Sequence, residues 1–208
     1  MKRRHAFLPE SLGPLEDRLA LSQMGGVMPA PAAIVQARAA TPKATLPADR
    51  DTTTFEINFL TGMIPHHQMA IDMARLALRQ ATDPQVKGLA RRIIAGQTPE
   101  IARMNRYLAV DGVRNFKPGK APDEIQDLKE LRSQRGVAFD RAFLTMMTDH
   151  HMMAIEGNDT GMVGASEART RAAQQGIRVL AGNIVATQTR EISEMQGILA
   201  RLGGSSMA

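Results

Sequence analysis

The chain of 208 residues has no cysteine, no tryptophan and a single tyrosine. Without cysteine there is no disulfide framework and no thiolate metal site. Aromatic residues make up only 3% of the chain, while methionine is frequent at 14 residues. A core poor in aromatics and rich in methionine favours packed helices over a β-sandwich. No apolar run reaches the roughly 18 residues that a membrane-spanning helix requires. Net charge is +5, but the excess is arginine scattered over predicted outer helix faces. No basic stripe interleaved with aromatics is present, so nucleic acid is not an expected partner. His-Glu-x-x-His, a nucleophile elbow and a phosphate-binding loop are also missing. The chain is therefore expected not to be an enzyme.

What the chain does have, it has twice. Phe59-Leu-Thr-Gly-Met63-Ile-Pro-His66-His67-Gln-Met69-Ala-Ile-Asp72-Met73 returns as Phe143-Leu-Thr-Met-Met147-Thr-Asp-His150-His151-Met-Met153-Ala-Ile-Glu156, at a constant offset of 84 residues. Four of the five histidines lie in these two pairs. A second phrase, Leu89-Ala-Arg-Arg-Ile-Ile-Ala-Gly-Gln97-Thr-Pro-Glu100-Ile-Ala-Arg-Met104, returns as Leu180-Ala-Gly-Asn-Ile-Val-Ala-Thr-Gln188-Thr-Arg-Glu191-Ile-Ser-Glu-Met195, at an offset of 91. The second copy thus carries seven more residues between its phrases. Two phrases repeated in the same order indicate internal duplication.

Residues 1–50 are expected to lie outside the fold. Leu15-Glu-Asp-Arg-Leu-Ala-Leu-Ser22 resembles the leader that begins many exported planctomycete proteins, which places the chain outside the cytoplasm: periplasmic, at the cell surface or secreted. Residues 23–50, rich in Ala, Pro and Gly, read as a flexible linker. The domain proper is expected over 51–208, with repeat one at about 54–110 and repeat two at about 137–202.

The first helix is predicted from Thr53–Thr54, which offer N-caps, to Gln80. Asp83 caps a second helix, opened by Pro84 and ending near Val110. A shorter helix runs from Pro122 to about Gln134, and Gly136 breaks or bends the chain. The third long helix covers about 137–157, with a turn at Gly157–Gly164. The fourth is predicted without interruption from Ser166 to about Leu202. Pro65 and Pro99 fall inside predicted helices, where proline costs a hydrogen bond. Their repeat counterparts, Asp149 and Arg190, suit a helix, so kinks are expected rather than breaks.

At about 100° per residue, Phe59, Leu60, Met63, Ala70, Ile71 and Met73 share an apolar face. Glu56, His66 and His67 fall on that same face. Asp140, His150 and His151 do so in the third helix. Gln97 and Glu100 sit within the apolar stripe of the second helix, and Gln188 and Glu191 within that of the fourth. Polar groups inside an apolar stripe are costly unless they pair or bind something. The two readings are a metal site and a hydrogen-bond network that sets helix register.

Neutral imidazole suits Zn, Cu, Ni and Fe, whereas thioether selects Cu(I) and, by the same logic, Ag(I). Methionines flank both His pairs. Met with His and without Cys is what an exported copper-handling protein would use, because thiols oxidise there. Glu-x-x-His does not occur, which disfavours a di-iron carboxylate site. Zinc or iron at the His pairs stands as the enzymatic alternative.

These residues resemble the family known as domain of unknown function 305, over about residues 54–202. The resemblance implies an all-α, ferritin-like, up-down four-helix bundle made of two helical hairpins, usually exported. Some relatives are periplasmic copper-binding proteins of the CopM type. By position, the resemblance implies a ligand set of Met63, His66, His67, Met73, Met104, Met147, His150, His151 and Met195. Glu56, Gln97, Glu100, Asp140, Gln188 and Glu191 would surround it. The implied cofactor is copper as Cu(I), or silver; the partner is a metal ion, and self-association stays open. The second copy has Gly157 where the first has Met73, so the first half is expected to hold a soft ion better, unless Met153 or Met162 substitutes in the second.

Overall fold

In the computed structural model, residues 50–203 are described. The leader and most of the linker expected in the first fifty residues lie outside them. Six helices follow one another: α1 (Arg50–Gln80), α2 (Pro84–Val110), α3 (Pro122–Ser133), α4 (Gly136–Glu156), α5 (Ala165–Arg171) and α6 (Gln175–Arg201). No strand occurs among the described residues, only an isolated antiparallel bridge between Gly157 and Val163.

α1 starts a little earlier than the threonines suggested. Thr54 lies inside the helix, one turn past its start, and its hydroxyl donates back to the Arg50 carbonyl at 2.8 Å. The start of α2 follows the sequence signal: Asp83 Oδ1 accepts from the amides of Gln85 (2.7 Å) and Val86 (3.4 Å), with Pro84 at the first position. Both α1 and α2 continue through their internal prolines, Pro65 and Pro99.

The expected fourth helix is two helices. The chain leaves helical form at Ala172–Gln174, between α5 and α6. The offset of 91 equates these residues with Ala81–Asp83, the turn between α1 and α2. It likewise equates α5 with residues 74–80, the last part of α1. So α4 and α5 together correspond to α1, and the extra seven residues are looped out between them. Gly157 (φ 89) ends α4, and Gly164 lies directly on the Glu156–Gly157 peptide. A Cβ at position 164 would stand 2.4 Å from the Gly157 amide nitrogen, so only glycine closes this loop.

The long elements form an up-down four-helix bundle. α1 packs on α2, α6 packs on α4 and α5, and the hairpins meet through α1 with α4 and α2 with α6. The interior holds two apolar clusters. One contains Met69–Ala77 of α1, Val86–Ile93 of α2, Phe139–Met147 of α4, and Met195 and Ile198 of α6, and α3 covers it with Leu131. The other contains Phe59–Ile64, Met104 and Leu108, Ala154, α5 and Ile177–Ile184. In all four long helices the histidines, Gln97, Glu100, Gln188 and Glu191 fall between the two clusters.

Candidate metal centre

The middle of the bundle is a polar layer. The rings of His66 and His150 lie face to face, with centroids 3.6 Å apart and planes tilted by 34°. The His pairs therefore meet across the bundle. Beside this stack, His67 Nε2 is 3.0 Å from Glu100 Oε2, and His151 Nε2 is 2.8 Å from Glu191 Oε2. These are equivalent contacts in the two repeats. With Nε2–H donated to the carboxylate, each neutral ring keeps its lone pair on Nδ1, an assignment that follows from the hydrogen bonding.

Several other polar atoms of the layer are buried without a partner among the described residues. Both ring nitrogens of His66 are buried and unsatisfied, as are Nδ1 of His67, His150 and His151, both amide atoms of Gln97 and Oε1 of Gln188. Buried polar atoms in a native protein are nearly all hydrogen-bonded, so such a concentration demands an explanation. Burial pushes the His66 pKa down to about 3, and the neighbouring His67 and His151 add to the effect. His150 is held well below the usual imidazole range by burial, then by His66, His151 and His67. At neutral pH the stacked pair is uncharged, the state in which imidazole binds metals.

The methionines flank this layer. Met63 and Met104 are fully buried in one cluster, and their repeat counterparts Met147 and Met195 are fully buried in the other. Met73 packs in the cluster of Met147 and Met195. This overturns the grouping by helix face. Met63 and Met73 share a side of α1 but lie on opposite sides of the His layer, and Met73 packs in a cluster built from both repeats. A stronger first half can therefore not rest on Met73 standing beside Met63.

Glu56 and Asp140 are not part of the layer. Each stands ten residues before its His pair, about 15 Å of helix rise. Asp140 is fully buried and accepts from the amides of Thr82 (3.0 Å) and Asp83 (3.0 Å) at the α1–α2 turn. Glu56 accepts from the Gln174 amide (2.7 Å) and the Gln174 side chain (3.0 Å) at the α5–α6 turn. The assignment of these two to the surroundings of a metal site is corrected: they fasten opposite ends of the bundle. Gln97, Glu100, Gln188 and Glu191 do lie at the level of the histidines.

Among the described residues, no group of three or more His, Asp and Glu side chains is placed to hold a metal ion. At this level the buried groups are imidazoles, with buried methionines in the clusters on either side. Imidazole and thioether as residue types suit soft or borderline ions better than ions that require a shell of oxygens.

The chain matches the model of the family described as Domain of unknown function (DUF305), over residues 28–108 and 56–199. It belongs to the DUF305 family. Among solved structures, CopM in the Cu(I)-bound form is 31% identical with a TM-score of 0.59, covering 70% of this chain and 96% of that one. CopM has also been solved in Cu(II)-bound and Ag-bound forms. A putative secreted DUF305 protein from Streptomyces coelicolor is 25% identical, with a TM-score of 0.62, over 71% of this chain and 92% of the other. A DUF305 fragment from Deinococcus radiodurans is 26% identical, with a TM-score of 0.58, over 70% and 95%. An uncharacterised protein of Acanthamoeba polyphaga mimivirus is 48% identical over 50 residues, which is 24% of this chain and 33% of that protein's length. No helix of this DUF305 chain is long and apolar enough to cross a membrane, among the described residues.

Proposed function

We propose that this protein binds Cu(I), and Ag(I) in the same way, between its two hairpins, and that it stores or buffers the ion without transforming a substrate. The observation that carries the reading is the buried layer of unpartnered imidazole and amide atoms between Met63–Met104 on one side and Met73–Met147–Met195 on the other. Neutral imidazole and thioether together prefer soft monovalent ions. Glu100 and Glu191, each bonded to Nε2 of a histidine, would fix those rings and make Nδ1 the better donor, as carboxylates commonly do behind metal-bound histidine. Gln97 and Gln188 offer further polar atoms at the same level. When bound, the ion would supply the missing partner for the orphaned nitrogens.

The Cu- and Ag-bound forms of CopM support this reading by likeness. A location outside the cytoplasm fits the expected leader and the putative secreted relative. We read the two halves as products of duplication, since repeat-equivalent residues make equivalent contacts.

A second reading has an observation of its own. The His67–Glu100 and His151–Glu191 contacts could serve register alone. A zinc or iron enzyme is the weaker rival, because among the described residues no three His, Asp or Glu side chains are grouped to hold such an ion. Equilibrium dialysis of the full chain against Cu(I), Ag(I), Zn(II) and Fe(II), followed by elemental analysis, separates the three. Stoichiometric retention of Cu(I) and Ag(I) is expected. Preferential retention of Zn(II) or Fe(II) would support the enzymatic rival, and retention of none would leave the register role.

A further inference from the structure

The repeats differ one helical turn before each histidine stack partner. In the second repeat this position is Met146, four residues before His150; in the first it is Gly62, four residues before His66. Residues four apart share a helix face, and a helical side chain leans over the turn that precedes it. His150 therefore leans toward Met146, a half-buried side chain packed against the core. His66 leans toward a position that has no side chain of its own.

The looped-out segment fills that position. A Cβ on Gly62 would stand 3.1 Å from Cγ of Met162 and 3.9 Å from its Cβ. Met162 belongs to the seven extra residues of the second repeat, which have no counterpart in the first. Its side chain thus crosses from the second hairpin and occupies the space that a residue at 62 would take, on the His66 face of α1. The loop is held for this. The Met162 amide donates to Asn158 Oδ1 (2.9 Å), the Met162 carbonyl accepts from the Asn158 amide (3.2 Å), and the Gly157–Gly164 approach closes its ends. Met162 is also half-exposed: with Asn58, Thr61, Gly62, Thr160 and Gly161 it lines an open groove of about 480 Å³. The groove joins solvent to the turn over which His66 leans, and both of its ring nitrogens are unsatisfied.

We propose that Met162 is a soft-metal ligand, the outer partner of His66 on the approach to the buried layer, and that it replaces across the hairpins the thioether which Met146 supplies beside His150. This rests on the proposed Cu(I) and Ag(I) binding and extends it to a residue outside the repeated phrases. It makes the two faces of the histidine stack equivalent: each has a half-buried thioether one turn outward. Glycine at 62 is then a requirement of the site, because a larger residue would displace Met162.

The test uses the full chain and Ag(I) as probe. Each methionine is followed by mass spectrometry as hydrogen peroxide converts it to the sulfoxide, with and without stoichiometric Ag(I). A thioether bound to silver has one lone pair engaged and is a weaker nucleophile toward the oxidant. Met162 and Met146 are expected to be protected on the order of tenfold, while the exposed Met152 oxidises at its metal-free rate. Met162→Leu, which preserves the packing over Gly62, is expected to weaken Ag(I) about tenfold in competition titrations. Gly62→Leu should do the same by excluding Met162 without supplying a sulfur of its own. Silver bound at full stoichiometry with Met162 oxidising as in the metal-free protein overturns this inference and leaves the proposed function intact. No bound silver at all overturns both. The protection measurement needs no variant, so it decides even if a substitution impairs folding.

Discussion

A buried imidazole without a partner has a measurable consequence for the metal-free protein. Burial holds His66 near a pKa of about 3, against 6.5 for the free side chain, and His150 is lowered as well. As pH falls below about 6.5, the unfolded chain takes up protons that the folded bundle refuses. Folding stability is therefore whole above that pH and is lost progressively toward pH 3. The slope is about 1.4 kcal/mol per pH unit for each such histidine. Urea titrations in the presence of chelator should show midpoints that are flat from neutral pH upward and decline below it. His150→Gln should reduce the decline. A midpoint that held steady down to pH 5 would mean that the stack opens to water and is not the dry contact seen here. The same burial leaves both rings neutral at pH 7, so an ion binding to them need displace no proton from either.

At the scale of the helices, the carboxylates at the two ends have a purely structural task. Asp140 holds the start of α2 through the amides of Thr82 and Asp83, and Glu56 holds the start of α6 through Gln174. Each ties one hairpin to the turn of the other. Glu56→Gln and Asp140→Asn should each cost about 2 kcal/mol in chemical denaturation, from the loss of charge-assisted bonds to buried amides. Neither should change metal stoichiometry. Loss of bound Cu(I) from a folded Asp140→Asn protein would return Asp140 to the site. The helical wheel placed all these groups correctly on inward faces, because period and burial are properties of one helix. It could not give their level along the bundle, so it grouped Glu56 with His67 and Met73 with His66. The break at Ala172–Gln174 was hidden for a different reason: alanine and glutamine carry no stop signal. Only the offset of 91, which sets these residues against the Ala81–Asp83 turn, marks it. Met162 could be named from the sequence only as a substitute for the sulfur missing at Gly157; its place over Gly62 was illegible because it comes from the loop's closure, not from any periodicity.

At the scale of the molecule, the two hairpins share one polar layer, and this decides how the halves should behave. His66 and His150 touch, so the proposed site would draw nitrogens from both hairpins. Sulfur is present on both sides of the layer, with Met73 joining Met147 and Met195. A site built across the hairpin interface binds only the folded bundle, so an ion stabilises it by the ordinary mass-action term, about 2.7 kcal/mol at a hundred times the dissociation constant. Saturating Ag(I) should therefore raise the melting temperature by several degrees. The double substitutions His66→Ala with His67→Ala, and His150→Ala with His151→Ala, should abolish that rise to the same extent, provided circular dichroism shows each variant helical. Equal loss is what a shared centre requires, since either pair removes one ring of the stack and one carboxylate-backed histidine. Were one pair to keep most of the shift while the other lost it, the ion would belong to a single hairpin, and the contact between His66 and His150 would be packing alone.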